Sequence, residues 1–270
     1  MGGLSERVAL VTGASRGIGA ATARVLSGAG ARVVITHKDS AEGAEEVLAS
    51  LAGDGHRIVQ VSATDSDGLR TAAVSVAEIE GRLDLLVNNA ATTRIVPHRD
   101  LEALDDELFD EILQTNLRGA FATVRAFRSL LAAGEGGVVV NISSLAARMA
   151  NGSNIAYCAS KAGMDNMTMS LARALAPEIR VVSVAPGLVD TELTRAWTPE
   201  ARGAMIDETP LARLAAPEDV ARAVLAVAVD LPMTTGVVIP VDGGRPLGAT
   251  HPEPDRGDRG WTPGTPTRTL

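Results

Sequence analysis

Short aliphatic runs alternate with helical stretches from near the start of the chain almost to its end, and this alternation restricts the fold more than any other feature. Val8–Thr12 is an apolar run ending at Gly13, and Ala20–Ser27 reads as a helix. The pairing repeats at Arg32–Thr36 with Ala41–Leu51, and at Arg57–Val61 with Leu69–Glu80. A fourth strand is expected over Leu83–Asn88, followed by helical patterns near Leu101–Leu117 and Ala120–Leu131. Gly137–Ile142 pairs with a long helix over Ile155–Ala174. Ile179–Ala185 is a sixth strand, Pro217–Val229 a helix opened by proline and acids, and Val237–Val241 a seventh strand. Strands separated by helices imply right-handed βαβ crossovers on a parallel sheet. The expected fold is therefore α/β, a doubly wound parallel seven-stranded sheet with helices on both faces, in a single domain over residues 1–244.

Composition fits this architecture. The chain is 46% hydrophobic but only 2% aromatic, so its core must be built from Ala, Val, Leu and Ile. Strands buried on both faces read as such continuous aliphatic runs. Residues 245–270 depart from the pattern, being rich in Pro, Gly and charge and poor in aliphatics. That segment reads as a disordered tail. The poorly patterned stretch Thr194–Thr209 is a lid candidate beside the carboxyl edge of the sheet.

The net charge of −8 supplies no basic field for nucleic acid. No apolar stretch is long enough for a transmembrane helix, and Met1–Arg7 has no leader pattern, so no membrane partner and a cytoplasmic location are expected. The single cysteine, Cys158, forbids an internal disulfide and suits a reducing compartment. His37, His56, His98 and His251 show no ligand spacing, and no metal is assigned. Of 25 basic residues only Lys38 and Lys161 are lysine, which draws attention to both.

The first strand-to-helix turn reads Thr12-Gly13-Ala14-Ser15-Arg16-Gly17-Ile18-Gly19. Glycine allows the tight turn and close approach that a pyrophosphate needs, and the following helix N-terminus supplies N–H groups and a positive dipole end. The spacing is GxxxGxG rather than the commoner GxGxxG. A Rossmann-type nucleotide site is expected there. An acid near the end of the second strand would favour NAD(H) by binding a ribose 2′-hydroxyl. His37 and Lys38 stand there instead, with Arg16 in reach from the loop, so a 2′-phosphate and NADP(H) are favoured. Asp39, slightly past the usual acid position, keeps NAD(H) open.

Tyr157, the only tyrosine, stands four residues before Lys161 at the start of the long helix. That spacing puts both on one helical face. A fixed cation favours the phenolate and would lower the tyrosine pKa from about 10, fitting Tyr157 for general acid–base work. Ser144 follows the fifth strand, at the edge where open α/β sheets bind ligands, and could hold a carbonyl oxygen beside the phenol.

With TGASRGIG at 12–19, NNAA at 88–91, Asn116 in QTNLRG, NISS at 141–144, YCASK at 157–161, PGLVDT at 186–191 and DGG at 242–244, the chain resembles the classical short-chain dehydrogenase/reductase family over about Leu4–Gly244, nearest its 3-oxoacyl-(acyl-carrier-protein) reductase-like branch. The resemblance implies a catalytic set of Asn116, Ser144, Tyr157 and Lys161. Lys161 would also bind the nicotinamide ribose, and Asn116 would hold a water linking Lys161 to solvent. The cofactor would lie on Gly13, Ser15, Arg16, Gly17, Ile18 and Gly19, with His37 and Lys38 at the second strand. Asn89, Ala90 and Ala91 would pack near the adenosine ribose; Pro186, Gly187, Leu188, Val189 and Thr191 would line the nicotinamide. Two departures stand out. NNAA replaces the usual NNAG, so Ala91 is expected in a conformation glycine adopts more cheaply. Ser62-Ala63 stands where an acid often meets the adenine amine, which implies weaker or water-mediated adenine contact.

Arg94, Ile95, Met149, Asn151, Leu193 and Trp197 could border a substrate. Cys158 is expected to pack on another helix face. The reading is an NADP(H)-dependent ketone reductase or secondary alcohol dehydrogenase acting on a small carbonyl or alcohol, including a carrier-bound acyl group. The resemblance also implies a homotetramer or dimer through the helices near 101–131 and 155–174. The competing readings are an NAD(H)-dependent enzyme of the same kind, a non-catalytic nucleotide-sensing regulator, and a lyase or epimerase using the cofactor transiently.

Overall fold

The computed structural model describes residues 3–195 and 198–248, without the side chains of Leu193 and Arg195. Seven parallel strands form one sheet: β1 (Val8–Val11), β2 (Arg32–His37), β3 (Arg57–Gln60), β4 (Leu85–Asn88), β5 (Gly137–Ile142), β6 (Ile179–Pro186) and β7 (Val238–Val241). Their order is β3-β2-β1-β4-β5-β6-β7. The strand order reverses between β1 and β4, and such switch points open a crevice at the carboxyl edge of a parallel sheet.

Side chains alternate across each strand, and the chain exploits both faces. In β1, Ala9 and Val11 join a core with α1 (Gly17–Gly28) and the helix Pro217–Val229. Val8 and Leu10 point the other way, into a core with α3 (Ser66–Glu80), α5 (Ala120–Leu131) and α7 (Ile155–Leu175). Between them lie α2 (Ala41–Ala49), α4 (Asp106–Leu113) and α6 (Ala146–Met149); α8 (Glu192–Arg195), α9 (Pro199–Asp207) and α10 (Pro217–Val229) follow β6. Among the described residues Phe127 is the only aromatic of the largest fully buried side chains, so aliphatics fill the interior as composition required.

Three departures from expectation bear on the site and its surroundings. Helix α4 starts at Asp106 because Asp105 caps it, accepting from Leu108 N at 2.8 Å. Residues Gln114–Gly119 then form a π-helical turn that joins α4 to α5. At the other end, Arg245–Leu247 form a 3-10 turn, so the chain is structured past Gly244. The remainder of the expected tail, 249–270, lies outside the described residues. The lid candidate contains the end of α8 and all of α9, a helix its weak hydrophobic patterning concealed.

Candidate functional site

The glycine loop leaves β1 and enters α1. Gly13 has φ +62°, and a Cβ there would lie 2.9 Å from Ala90 Cα. Gly19 is tighter: a Cβ would lie 2.5 Å from both Asn89 Nδ2 and Gly13 O. Asn89 explains the crowding, since its Nδ2 donates to Thr12 O and Gly13 O, each at 2.9 Å. The Thr12 hydroxyl accepts from the N–H groups of Asn89 and Ala90 at 3.0 Å, tying the loop to the end of β4. A Cβ on Gly17 (φ +56°) would meet only Thr191 Cγ2, at 3.9 Å. Helix α1 has an extended N-cap at Arg16, no side-chain cap and no acid in its first turn. The loop therefore presents uncapped N–H groups and a positive dipole end toward open space, which fits a dinucleotide phosphate.

The ends of β2 and β3 bear on the nucleotide. His37 is buried and its Nδ1 has no hydrogen-bond partner. Lys38 is exposed and sits 3.6 Å from Asp39; Arg16 is exposed on the loop. Ser62 turns inward to Thr64, hydroxyl to hydroxyl at 2.8 Å, and Ala63 packs on Gly119. Asp65, three residues on, caps α3 by accepting from Asp67 N and Gly68 N. Its carboxylate thus already has a structural role. The expectation for Ala91 fails: among described non-glycine residues only Glu6, Ala150 and Ala212 have positive φ. Alanine costs nothing special there.

Helix α7 carries Tyr157 and Lys161 on one face. It begins where Asn154, fully buried, accepts from Tyr157 N at 2.7 Å, with its own Nδ2 donating to Arg94 O at 2.7 Å. Lys161 is 2% exposed and its Nζ donates to Ile142 O at 2.7 Å. The ammonium lies 5.7 Å from the centroid of the Tyr157 ring. Burial pulls the Lys161 pKa down to about 8, while Asp165, one turn further on, opposes the drop. Asp165 is itself pushed up by burial, with Ser143 and Ser183 hydroxyls opposing.

The phenol behaves differently from expectation. Burial pushes Tyr157 above its ordinary value, and the Ser144 hydroxyl is the opposing influence. The lowering expected from Lys161 does not appear. Its ammonium is engaged by the Ile142 carbonyl, and desolvation of the phenolate outweighs what remains. Cys158 is buried against Gly152, as its expected packing role requires.

Asn116 sits in the π-helical turn, a distortion often found at functional sites. Its Oδ1 accepts from Thr92 N at 2.8 Å, and its Nδ2 donates to Thr92 O at 3.0 Å and Ser160 Oγ at 3.1 Å. Both side-chain atoms are thereby committed to protein partners. A polar ladder that sequence reasoning did not single out runs beneath: Asn88 Nδ2 donates to Asn141 Oδ1 at 2.9 Å, and Asn141 Nδ2 to Thr168 Oγ1 at 2.8 Å. The Thr168 and Ser183 hydroxyls are 2.8 Å apart. This ladder fixes α7 to β4, β5 and β6. Asn141 was visible only as part of NISS.

Ser144, Tyr157 and Lys161 share a cavity of about 550 Å³ with Ile18, Asn89, Ala91 and the Pro186–Val189 segment. Ile95, Met149 and Asn151 line it as expected. Arg94 does not; it turns to Asp105 and Ala103 O. Trp197 and the Leu193 side chain lie outside the described residues. Met205, Glu208 and Arg245 line the cavity without having been anticipated. No group of three or more His, Cys, Asp or Glu that could hold a metal occurs among the described residues. No helix among them is long and apolar enough to cross a membrane.

A family model described as enoyl-(acyl carrier protein) reductase matches residues 13–245. The cis-4-hydroxycyclohexanecarboxylate dehydrogenase of Sinomonas cyclohexanicum is 40% identical, covering 89% of this chain and 96% of its own. The 3-oxoacyl-(acyl-carrier-protein) reductase of Escherichia coli is 35% identical over 88% of this chain and 96% of its own. A solved short-chain dehydrogenase/reductase from Brucella melitensis superposes with a TM-score of 0.84 at 30% identity, covering 89% of this chain and 97% of that one. The family uses nicotinamide dinucleotides, and the relatives named are a dehydrogenase of a hydroxy acid and a reductase of a 3-oxoacyl group. The chain belongs to the short-chain dehydrogenase/reductase family and is an oxidoreductase of that kind.

Proposed function

We propose that the protein is an NADP(H)-dependent ketone reductase, or secondary alcohol dehydrogenase in reverse, with Tyr157 as its general acid and base. The observation that carries this reading is the buried Lys161 ammonium, held beside the Tyr157 ring in the cavity that Ser144 also lines. A nicotinamide dinucleotide supplies hydride to the carbonyl carbon when bound. Ser144 and Tyr157 hold the carbonyl oxygen by donating to it. Burial keeps the phenol protonated at neutral pH, the form that can give a proton to a developing alkoxide. Lys161 replenishes the proton and donates to the ribose. Asn116, whose amide is committed to Thr92 and Ser160, is the residue that would hold the water linking Lys161 to solvent.

The cradle of Gly13, Gly17 and Gly19 receives the pyrophosphate, and Ser15 and Ile18 flank it. Lys38 and Arg16, both exposed beside the end of β2, support a 2′-phosphate and hence NADP(H). Asp39 so close to Lys38 supports the NAD(H) alternative. The relatives' names point to a hydroxy acid in one case and a carrier-bound acyl group in another, so either class suits the cavity. A second copy of the chain covers the outer face of α5 and α7, where Phe121 and Met169 are exposed. The cytoplasm is the proposed location.

Titration with NADPH and with NADH, followed by turnover of a ketone panel, tests this reading. Tighter NADPH binding that weakens in Lys38→Ala and Arg16→Ala supports it. Tighter NADH binding, indifferent to both variants, overturns the cofactor preference. Cofactor binding with no turnover of any ketone or alcohol favours a nucleotide-sensing regulator instead.

A further inference from the structure

Arg245 has no part in the reaction described above, yet it lines the same cavity. The chain reaches it by a rigid path. Gly243 and Gly244 have φ +65° and +80°, and a Cβ on Gly243 would lie 2.6 Å from Thr209 Cγ2. Leu211 N donates to Gly243 O at 3.1 Å, so this turn is locked against the segment after α9. The Arg245 side chain is only 13% exposed.

Its guanidinium is incompletely used. Nη2 donates to Glu208 Oε2 at 2.7 Å and to Met205 Sδ at 2.9 Å. Nε and Nη1 make no hydrogen bond to any described residue. Glu208 is 59% exposed, so its carboxylate can be solvated by water when another carboxylate takes its place on Arg245. Among the described residues lining the cavity, the other cation is Lys161, whose ammonium is engaged at Ile142 O and faces the phenol. A chain of net charge −8 has no general attraction for anions. A single largely desolvated guanidinium inside the substrate cavity is therefore a local exception, and its planar fork matches a carboxylate.

We propose that Arg245 is a specificity residue that receives the carboxylate of the substrate, and that the substrate class is a small oxo acid and its corresponding hydroxy acid. This rests on the reading of the cavity as a carbonyl site. Glu208 holds the guanidinium in place and competes with the incoming carboxylate. No covalent step is involved; the carbonyl end goes to Ser144 and Tyr157, and the carboxylate end to Arg245.

The test compares 4-oxopentanoate and 5-oxohexanoate with their methyl esters, using the full chain with NADPH. The readout is the acid-to-ester ratio of kcat/KM in the wild type, Arg245→Met, Arg245→Lys and Glu208→Gln. The wild type should prefer an acid by about tenfold or more, the ordinary worth of a charge-assisted hydrogen bond. Arg245→Met should bring the ratio to one or below, chiefly through KM, because Glu208 is left unpaired in the cavity, and Arg245→Lys should restore part of the preference. Glu208→Gln should raise the ratio, because it removes the competing carboxylate. Variants that lower both substrates alike, with the ratio unmoved, would make the pair a strap between α9 and the chain end and overturn the proposal. Calorimetric binding of acid and ester to the NADPH complex gives the same ratio without turnover. Failure of ketone reduction is thereby separable from failure of carboxylate recognition.

Discussion

The side chain of Asn154 accepts a hydrogen bond from the backbone N–H of Tyr157 at 2.7 Å, so the residue that caps α7 also fixes the turn carrying the phenol. Its Nδ2 reaches back to Arg94 O, tying the segment after β4 to the start of α7. Asn154→Ala removes the cap and leaves buried polar groups unpaired. We expect a loss of about 1–2 kcal/mol in denaturant unfolding, within the range for N-caps. A larger proportional fall in kcat than in cofactor affinity should accompany it, because the phenol moves while the glycine loop does not. Unchanged kcat would mean that the cap does not position Tyr157.

Gly19→Ala tests the phosphate cradle. The new Cβ would lie 2.5 Å from Asn89 Nδ2 and Gly13 O, so the loop or Asn89 must shift. Overpacking of this kind costs about 1–3 kcal/mol. The melting temperature should fall, and NADPH titration should show markedly weaker binding. Wild-type NADPH affinity in this variant would contradict the cradle.

The pH profile of ketone reduction follows from Lys161. Its pKa lies near 8, lowered by burial, so the cation is present below about pH 8 and lost above it. The phenol, raised by burial, stays protonated through that range. Activity in the reductive direction should therefore fall as pH rises through about 8. Asp165 holds the Lys161 value up, so Asp165→Asn should move this fall to lower pH. A shift to higher pH, or none, would show that Asp165 does not act on Lys161.

Much of the fold was readable because both faces of the sheet are buried. Arg32–His37 and Gly137–Ile142 are nearly all buried, so they appear as continuous aliphatic runs between helices. The relation of Tyr157 to Lys161 followed from helical spacing alone. Other features depend on tertiary packing. QTNLRG looks like ordinary helix, and its π-helical turn arises where Asn116 bonds to Thr92 and Ser160 across the fold. The direction of the Tyr157 shift was misjudged because spacing shows the neighbouring cation but not the depth of burial. Asn154 carried a readable signal, an asparagine just before a helix. Arg245 carried none, since it opens a Pro- and Gly-rich stretch that composition marks as unstructured.

The most direct test of the chemistry is Tyr157→Phe, measured as kcat for ketone reduction alongside the Kd for NADPH. Removing one hydroxyl should leave NADPH binding within a few-fold and lower kcat by roughly 100- to 10,000-fold, the usual contribution of a general acid. Turnover near the wild-type rate in a variant that still binds NADPH would contradict the role of Tyr157 as proton donor.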